Sequence, residues 1–495
     1  MDGKTSPGTS PEASLELQQA EQAVQAHSAV FKKQLGLTDL VLTQVLFVVG
    51  LNWVGTAGKL GPSHVVYWLL AITLFYLPTA IVVIYLNRLM PLEGGLYQWA
   101  RLGFNEFFGF LVAWNLWLYV IMLLSEVGLL FATNLGYALG PRAAGLGSDK
   151  RFIMLCGFIL IGALVVATIL GLGVGKWIHN AGGIVIMTIF AMLIVLPFIA
   201  LARGEITHYN PFNIKAPEFS LESVNILGKM GFAALGGFEY VAILAGECRE
   251  PARTIGRSVI FSAPIIAVMF IFGTSSVLAF LRPDQIDLIG PIPQVLSIGF
   301  KSFGLAAQIV PLVILAFIAI RLAQASVNFT ANSRLPMVAG WDRLLPRWFT
   351  RLHPKYKTPV NSVIFVGAMT LTASLAGMVG VGHQEAYQLL QSASVIFYAF
   401  SYLVMLLLPL AGLSRGFART PWWLKVAACS GFAMTLLNVV LSIFPIIHVE
   451  SRLSFGLKIS SVILAANAVG VFFFVMAERR KKYEPAFEPE PSAAD

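Results

Sequence analysis

The sequence predicts an all-α integral membrane protein of about twelve transmembrane helices, the first ten forming two inverted five-helix repeats, with helices 1 and 6 discontinuous. Three observations predict this. The chain of 495 residues is 57% hydrophobic and only 12% charged, about half the roughly 25% charge of a soluble domain. Apolar windows of about 20 residues, long enough to cross a bilayer, recur about twelve times. Two of these windows are broken near their middles by glycine, at Gly50-Leu51-Asn52-Trp53 and at Gly236-Gly237-Phe238-Glu239, in corresponding places roughly 185 residues apart.

Taken in order, residues 1–34 are polar and read as a cytoplasmic tail, partly disordered, in which 12–28 offers a short helix as the alternative. They lack the apolar stretch and small-residue cleavage site of a signal peptide, so none is expected. The transmembrane domain covers 35–478. Its expected spans are 37–60, 65–90, 107–138, 152–173 and 178–202 in a first repeat over 37–202. Spans 224–246, 258–281, 303–331, 359–380 and 387–411 form a second repeat over 224–411. Spans 421–447 and 454–477 follow as helices 11 and 12. Five spans per repeat is an odd number, which inverts the second repeat relative to the first. Two connections are long: 203–223, and 332–358, which is basic and expected to carry a short surface helix. The acidic, proline-rich tail 479–495 is expected to be disordered.

The net charge of +9 is topological. Lys32, Lys33, Arg88, Arg101, Arg249, Arg253, Arg257 and the run Arg479-Arg480-Lys481-Lys482 fall on one side of the expected spans, and clearly fewer cations fall on the other. By the positive-inside rule both termini are then cytoplasmic, in a multi-pass protein of the cell membrane, plasma or inner. That placement excludes a nucleic-acid partner. Cys156, Cys248 and Cys429 have no metal-ligand spacing and read as packing residues. The seven histidines form no catalytic or metal cluster and no G-x-S-x-G is present, so neither an enzyme nor a cofactor is expected.

The breaks carry the functional reading. Lipid does not tolerate unpaired backbone N–H and C=O groups, so a broken helix at membrane depth lines a cavity or is buried in protein. In secondary carriers such breaks form the substrate site.

Several segments, in order over about 36–360, resemble one family. Gly36-Leu37-Thr38-Asp39-Leu40 leads into the first break. Pro91-Leu92-Glu93-Gly94-Gly95-Leu96-Tyr97 matches a P-x-x-G-G-x-Y motif after helix 2. Gly237-Phe238-Glu239 with Glu247-Cys248-Arg249-Glu250-Pro251-Ala252-Arg253-Thr254-Ile255 is similar to a helix 6 signature. Ser333-Arg334-Leu335-Pro336 and Asp342-Arg343-Leu344-Leu345-Pro346 are similar to the loop after helix 8. Together they resemble the amino acid–polyamine–organocation (APC) superfamily, in its amino acid permease-like branch. The resemblance implies the LeuT-type fold and alternating-access transport of amino acids or related amines, as permease or exchanger. A polyamine or organic amine exchanger is the alternative; an integral membrane enzyme or a channel fits less well. Two departures stand out. The family's G-[SA]-G in helix 1 reads Gly50-Leu51-Asn52 here, and the aromatic gate before Gly237 is replaced by Ala233, Ala234 and Leu235, with Phe232 just outside.

The candidate substrate-binding residues are therefore Gly50, Leu51, Asn52, Trp53, Ala233, Gly236, Gly237, Phe238 and Glu239. Free amides at a broken helix suit a carboxylate; Trp53 either stacks on substrate or packs. The gating or coupling candidates are Glu126 in span 3, Glu239, and Arg321 in span 8. Ionisable groups at such depth face a cavity or a partner. Glu126 is read as an amine ligand, a proton carrier or a structural carboxyl. Arg321 cannot shed its charge and needs an anion: Glu126, Glu239 or a substrate carboxylate. By depth, a Glu126–Arg321 contact calls for a bridging ligand or water. No metal site is expected beyond three secondary sodium candidates, Ser326, Asn328 and Thr330. The partners are thus a small amino acid or amine, a coupled proton or sodium ion, and the lipid bilayer.

Overall fold

The computed structural model describes residues 35–50, 52–90, 95–170, 176–237, 248, 250–301, 304, 308–338, 347–356, 358–411 and 420–483. Ten of its helices are long and apolar enough to cross a membrane, and they fall on expected spans 2–5 and 7–12. Spans 1 and 6 are the two that carry the glycine breaks.

Along the chain, α1 (Leu37–Val48) and α2 (Trp53–Gly58) form the first, broken line. Then come α3 (Gly61–Leu89), α4 (Leu96–Gly103), α5 (Glu106–Leu139), α6 (Lys150–Ile169) and α7 (Lys176–Ala202). The second broken line opens with α8 (Leu221–Gly228), which runs into a π-helical turn, Lys229–Ala234. It is followed by α9 (Pro251–Phe280), α10 (Pro291–Gly299), α11 (Ile309–Val338) and a single turn, α12 (Arg347–Thr350). The last four are α13 (Val360–Gly377), α14 (His383–Ala411), α15 (Trp422–Leu441) and α16 (Arg452–Tyr483).

Local sequence explains the helix starts. The Asn105 side chain accepts the Phe108 amide at 3.1 Å to cap α5, Asp149 accepts the Arg151 amide at 2.9 Å before α6, and Ser220 accepts the Ser223 amide at 3.1 Å before α8. Each relieves a helix-end donor that lacks an intrahelical partner. Pro251 opens α9, where a missing N–H costs nothing.

The surface is apolar in the manner of a lipid-facing shell: Phe158, Leu312 and Leu464 are all more than 60% exposed. The chain is a multi-pass membrane protein, and polar side chains such as Gln44, Asn115 and Glu126 are buried inside it. α14 is buried along most of its length, against α5 on one side and α15 on the other. α1 lies between α7 and α9, and α11 runs along α5. The π turn after α8 packs against α15 and against a second π turn within α3, Ile72–Tyr76. Phe75 and Phe232 meet edge-on between these two turns, 5.6 Å apart.

At the start of α1, Leu35 pairs with Cys248 in an isolated parallel bridge, inside a small cluster with Leu40 and Ile255. Asp39 accepts the Gly36 amide at 2.9 Å and the Asn180 amide of α7 at 2.7 Å. The beginning of the first broken line is thus tied to the chain that follows the second.

Span 3 runs as one helix, Glu106–Leu139, as the sequence predicts, with a single turn residue at Glu126 (φ −80°, ψ −11°) between its two α-helical stretches. One boundary changes: span 8 begins at Ile309, several residues later than expected.

Candidate functional site

Both breaks open onto one cavity of about 180 Å³. From the first break, Gly50, Asn52 and Trp53 line it; from the second line, Ala233 and Gly236 do. The wall is completed by Tyr119 and Glu126 of α5, Arg321, Gln324 and Asn328 of α11, and Tyr387, Gln391, Ser394 and Tyr398 of α14. Leu51, Phe238 and Glu239 lie outside the described residues.

The first break follows from its backbone. Val49 leaves the helix at φ −77°, ψ 86°. The Gly50 amide turns back to the Val48 carbonyl at 2.8 Å, and the Trp53 amide donates to the Gly50 carbonyl at 3.2 Å. Those two N–H groups already have backbone acceptors, so the free amides expected at the break are not these two. Gly50 is required for a steric reason. A Cβ there would sit 2.5 Å from Cδ1 and 2.6 Å from Nε1 of the Trp53 ring, which lies over it. Trp53 is thereby fixed at the cavity wall, 7% exposed.

The second break is set by Gly237. Its φ of +123° is a region closed to side-chain-bearing residues, and its amide donates to the Tyr402 hydroxyl at 2.9 Å. Gly237 does not line the cavity; it holds the break open while Gly236 faces the ligand space. We expect Gly237→Ala to cost on the order of 1–3 kcal/mol from backbone strain, lowering the melting temperature and transport together. Tyr402→Phe, which removes only the acceptor, should cost about 1 kcal/mol. Thermal unfolding of the purified variants checks both; an unshifted Gly237→Ala would overturn the assignment.

The two ionisable candidates meet at this cavity. Glu126 is the turn residue within α5, 3% exposed, and its Oε1 has no hydrogen-bond partner. Arg321 lies across from it, close enough for the two charges to act on one another, yet among the described residues no direct ion pair joins them. Instead Arg321 Nη1 donates to Gln324 Oε1 at 3.0 Å, with the guanidinium 5.6 Å above the Phe317 ring. Gln324 Nε2 in turn donates to the Leu46 carbonyl at 3.1 Å. This relay ties the cation to the last turn of α1, whose carbonyls carry the negative end of the helix dipole. The cavity is therefore flanked by a carboxyl and a guanidinium held apart, with space between them for a group of each opposite sign.

Aromatic rings close the remaining wall. Tyr119 stacks on Tyr398 at 4.4 Å, and Phe232 packs on Tyr398 and Tyr402 at 5.6 and 5.1 Å. The sodium candidates are not brought together. Asn328 faces the cavity, whereas Thr330 Oγ1 lies 3.2 Å from Thr168 Oγ1 of α6. Ser326 is half-buried on α11, about 200° around the helix from Asn328 at roughly 100° per residue. Among the described residues no cluster of three His, Cys, Asp or Glu side chains suits a metal. Sequence reasoning does not single out Gln324, Tyr387, Gln391, Ser394 or Tyr398. The last four do have a sequence signal: their spacing of 4, 3 and 4 residues is one face of a helix.

Residues 34–474 match the amino acid permease family. The chain is 24% identical to an uncharacterized transporter of Legionella pneumophila over 76% of its length and 80% of that protein's. It is 24% identical to the branched-chain amino acid permease BcaP of Bacillus subtilis, over 74% of this chain and 81% of that one. A probable agmatine/putrescine antiporter, AguD of Lactococcus lactis, is 24% identical over 49% of this chain and 50% of its own.

Proposed function

Because the chain belongs to the amino acid permease family, and so moves amino acids or related amines across a membrane, we propose that its substrate is a small zwitterionic amino acid held between Glu126 and Arg321. The observation that carries this reading is the separation of the two charges. A buried carboxyl with an unpartnered oxygen and a guanidinium face the same cavity without pairing. Buried charges need partners. An α-amino acid supplies both at once, its ammonium toward Glu126 and its carboxylate toward Arg321. The cavity of about 180 Å³, below the roughly 300–1,000 Å³ of drug-sized sites, restricts the occupant to a small solute. The aromatic wall of Trp53, Tyr119 and Tyr398 suits an apolar side chain, in keeping with the named substrate of the B. subtilis relative.

The same reading includes the LeuT-type arrangement: two inverted five-helix repeats over 37–202 and 224–411, helices 11 and 12 after them, and both termini in the cytoplasm. Two breaks roughly 185 residues apart opening onto one cavity support it. Transport then proceeds by rocking of the two broken lines against the steadier helices around them. Glu126 alone would also suit a diamine, as the L. lactis relative's name suggests, but Arg321 in the same wall repels a dication. The purified protein in proteoliposomes tests this. Trapped unlabelled leucine should drive saturable counterflow of labelled leucine, with arginine weaker and putrescine inert. Counterflow with putrescine but not leucine would reverse the assignment; flux that never saturates would indicate a channel.

A further inference from the structure

Lys229 is the first residue of the π turn after α8 and is 3% exposed. Its Nζ has two partners, Ser392 Oγ of α14 at 3.4 Å and Ser442 Oγ just past α15 at 3.2 Å. Both are neutral, and both distances exceed the roughly 2.7–2.9 Å of a charge-assisted bond. An ammonium presents three donors and no acceptor, and at membrane depth it needs a compensating anion.

Among the described residues these two hydroxyl oxygens are the acceptors of Nζ. Ser442 Oγ gives its own proton to Asn438 Oδ1 at 3.3 Å and so can only accept from Nζ. The side-chain nitrogens of Asn438 and Gln388, both buried, lack acceptors of their own. The titratable groups on the packed elements do not supply an anion either: Glu222, in the first turn of α8, forms no ion pair with Lys229 among the described residues. α3 brings the phenols Tyr67 and Tyr76 and, at its first turn, His64, which is bonded to Gly61 O and Ser275. α14 brings Tyr387, Tyr398 and Tyr402, with His383 and Glu385 in its first turn. α15 brings Lys425 and Cys429 toward its other end, and the chain after it His448 and Glu450. α2 brings none, with Lys59 just beyond it. Among the described residues none of these carboxylates forms an ion pair with Lys229. A neutral amine, by contrast, has a lone pair that the Ser392 hydroxyl can satisfy.

Lys229 also rides on the line that forms the substrate site. Ala233 and Gly236, further along it, line the cavity, and Ser392 is flanked on α14 by the cavity residues Gln391 and Ser394. We propose that Lys229 is the proton-binding site that couples this carrier to a pH gradient. In the packing described here Nζ is the free amine. When the second broken line moves and admits water, Nζ takes a proton from hydronium and becomes ammonium. On return, one N–H bond breaks, the proton leaves to water, and the electron pair stays on Nζ to accept a serine hydroxyl. One proton is taken up and released per cycle. This rests on the transport reading and is separable from it.

Proteoliposomes with trapped pyranine test it, using labelled leucine, or putrescine if counterflow selects that solute. With acid outside, wild-type protein should accumulate label and acidify the lumen, a gradient of one pH unit supporting up to about tenfold accumulation through one coupled proton. Lys229→Met should lose the gradient response while keeping counterflow. Counterflow without gradient-driven accumulation in the wild type, or full gradient response in Lys229→Met, overturns the proposal; absence of counterflow in the wild type overturns the transport reading instead. If Lys229→Met also loses counterflow, Ser442→Ala decides. It keeps the amine but removes one partner, and should move the pH midpoint of uptake; an unmoved midpoint overturns the proposal.

Discussion

Replacing Arg321 by alanine should abolish substrate accumulation while leaving the purified protein folded. The guanidinium is the cavity's cation, and its Nη1 supports Gln324, which in turn holds the end of α1 through the Leu46 carbonyl. Truncating one member of a buried charge arrangement costs about 2–5 kcal/mol, roughly 30- to 4,000-fold in apparent affinity. Arg321→Lys keeps the charge but not the planar fork that reaches both a carboxylate and an amide oxygen, so it should recover transport only in part. Counterflow of labelled leucine measures the loss, and thermal unfolding measures whether the fold survives. Normal counterflow by Arg321→Ala would leave the guanidinium a packing role alone.

Glu126→Gln should raise the half-saturating concentration for leucine by at least about tenfold with little change in melting temperature. Glutamine preserves shape and removes charge. The wild-type Oε1 has no protein partner, so the loss falls on the ligand rather than on the fold. A hydrogen bond to a charged group contributes about 1.5–3 kcal/mol, which sets the expected range at roughly 10- to 150-fold. An unchanged half-saturating concentration would show that the substrate amino group binds elsewhere. The two variants also separate the substrate classes: a diamine should lose affinity in Glu126→Gln but gain it in Arg321→Ala, where the repelling cation is gone.

The membrane-spanning character and both breaks were legible because they depend on local quantities, apolar length and glycine at mid-span. The facing of Glu126 and Arg321 across one cavity was legible in outline, since each is an ionisable group in an otherwise apolar span. The turn residue within α5 at Glu126 was not, because no proline or glycine occupies that position. The inward turn of the Gly50 amide was not either: which carbonyl an amide finds depends on the dihedral angles of Val49, and glycine permits many. Lys229 stands as plainly in its span as Glu126 does in its own. Its meaning depends on Ser392 and Ser442, more than 160 residues away in sequence, and no pattern within span 6 could supply them. The aromatic face of α14 shows its helical spacing in sequence, but an identical stripe on a helix facing another helix would be ordinary core.

The shortness of α1, α2 and α8 also bears on how the protein is made. A helix needs about 20 apolar residues to partition into a bilayer by itself, and these have 12, 6 and 8. During synthesis neither broken line can seal its backbone against lipid alone. α1 shelters against α7 and α9, both translated after it, so the first line can settle only once they have inserted. α8 packs against α3 as well as α15, so part of the second line's shelter is already in place when that line is made.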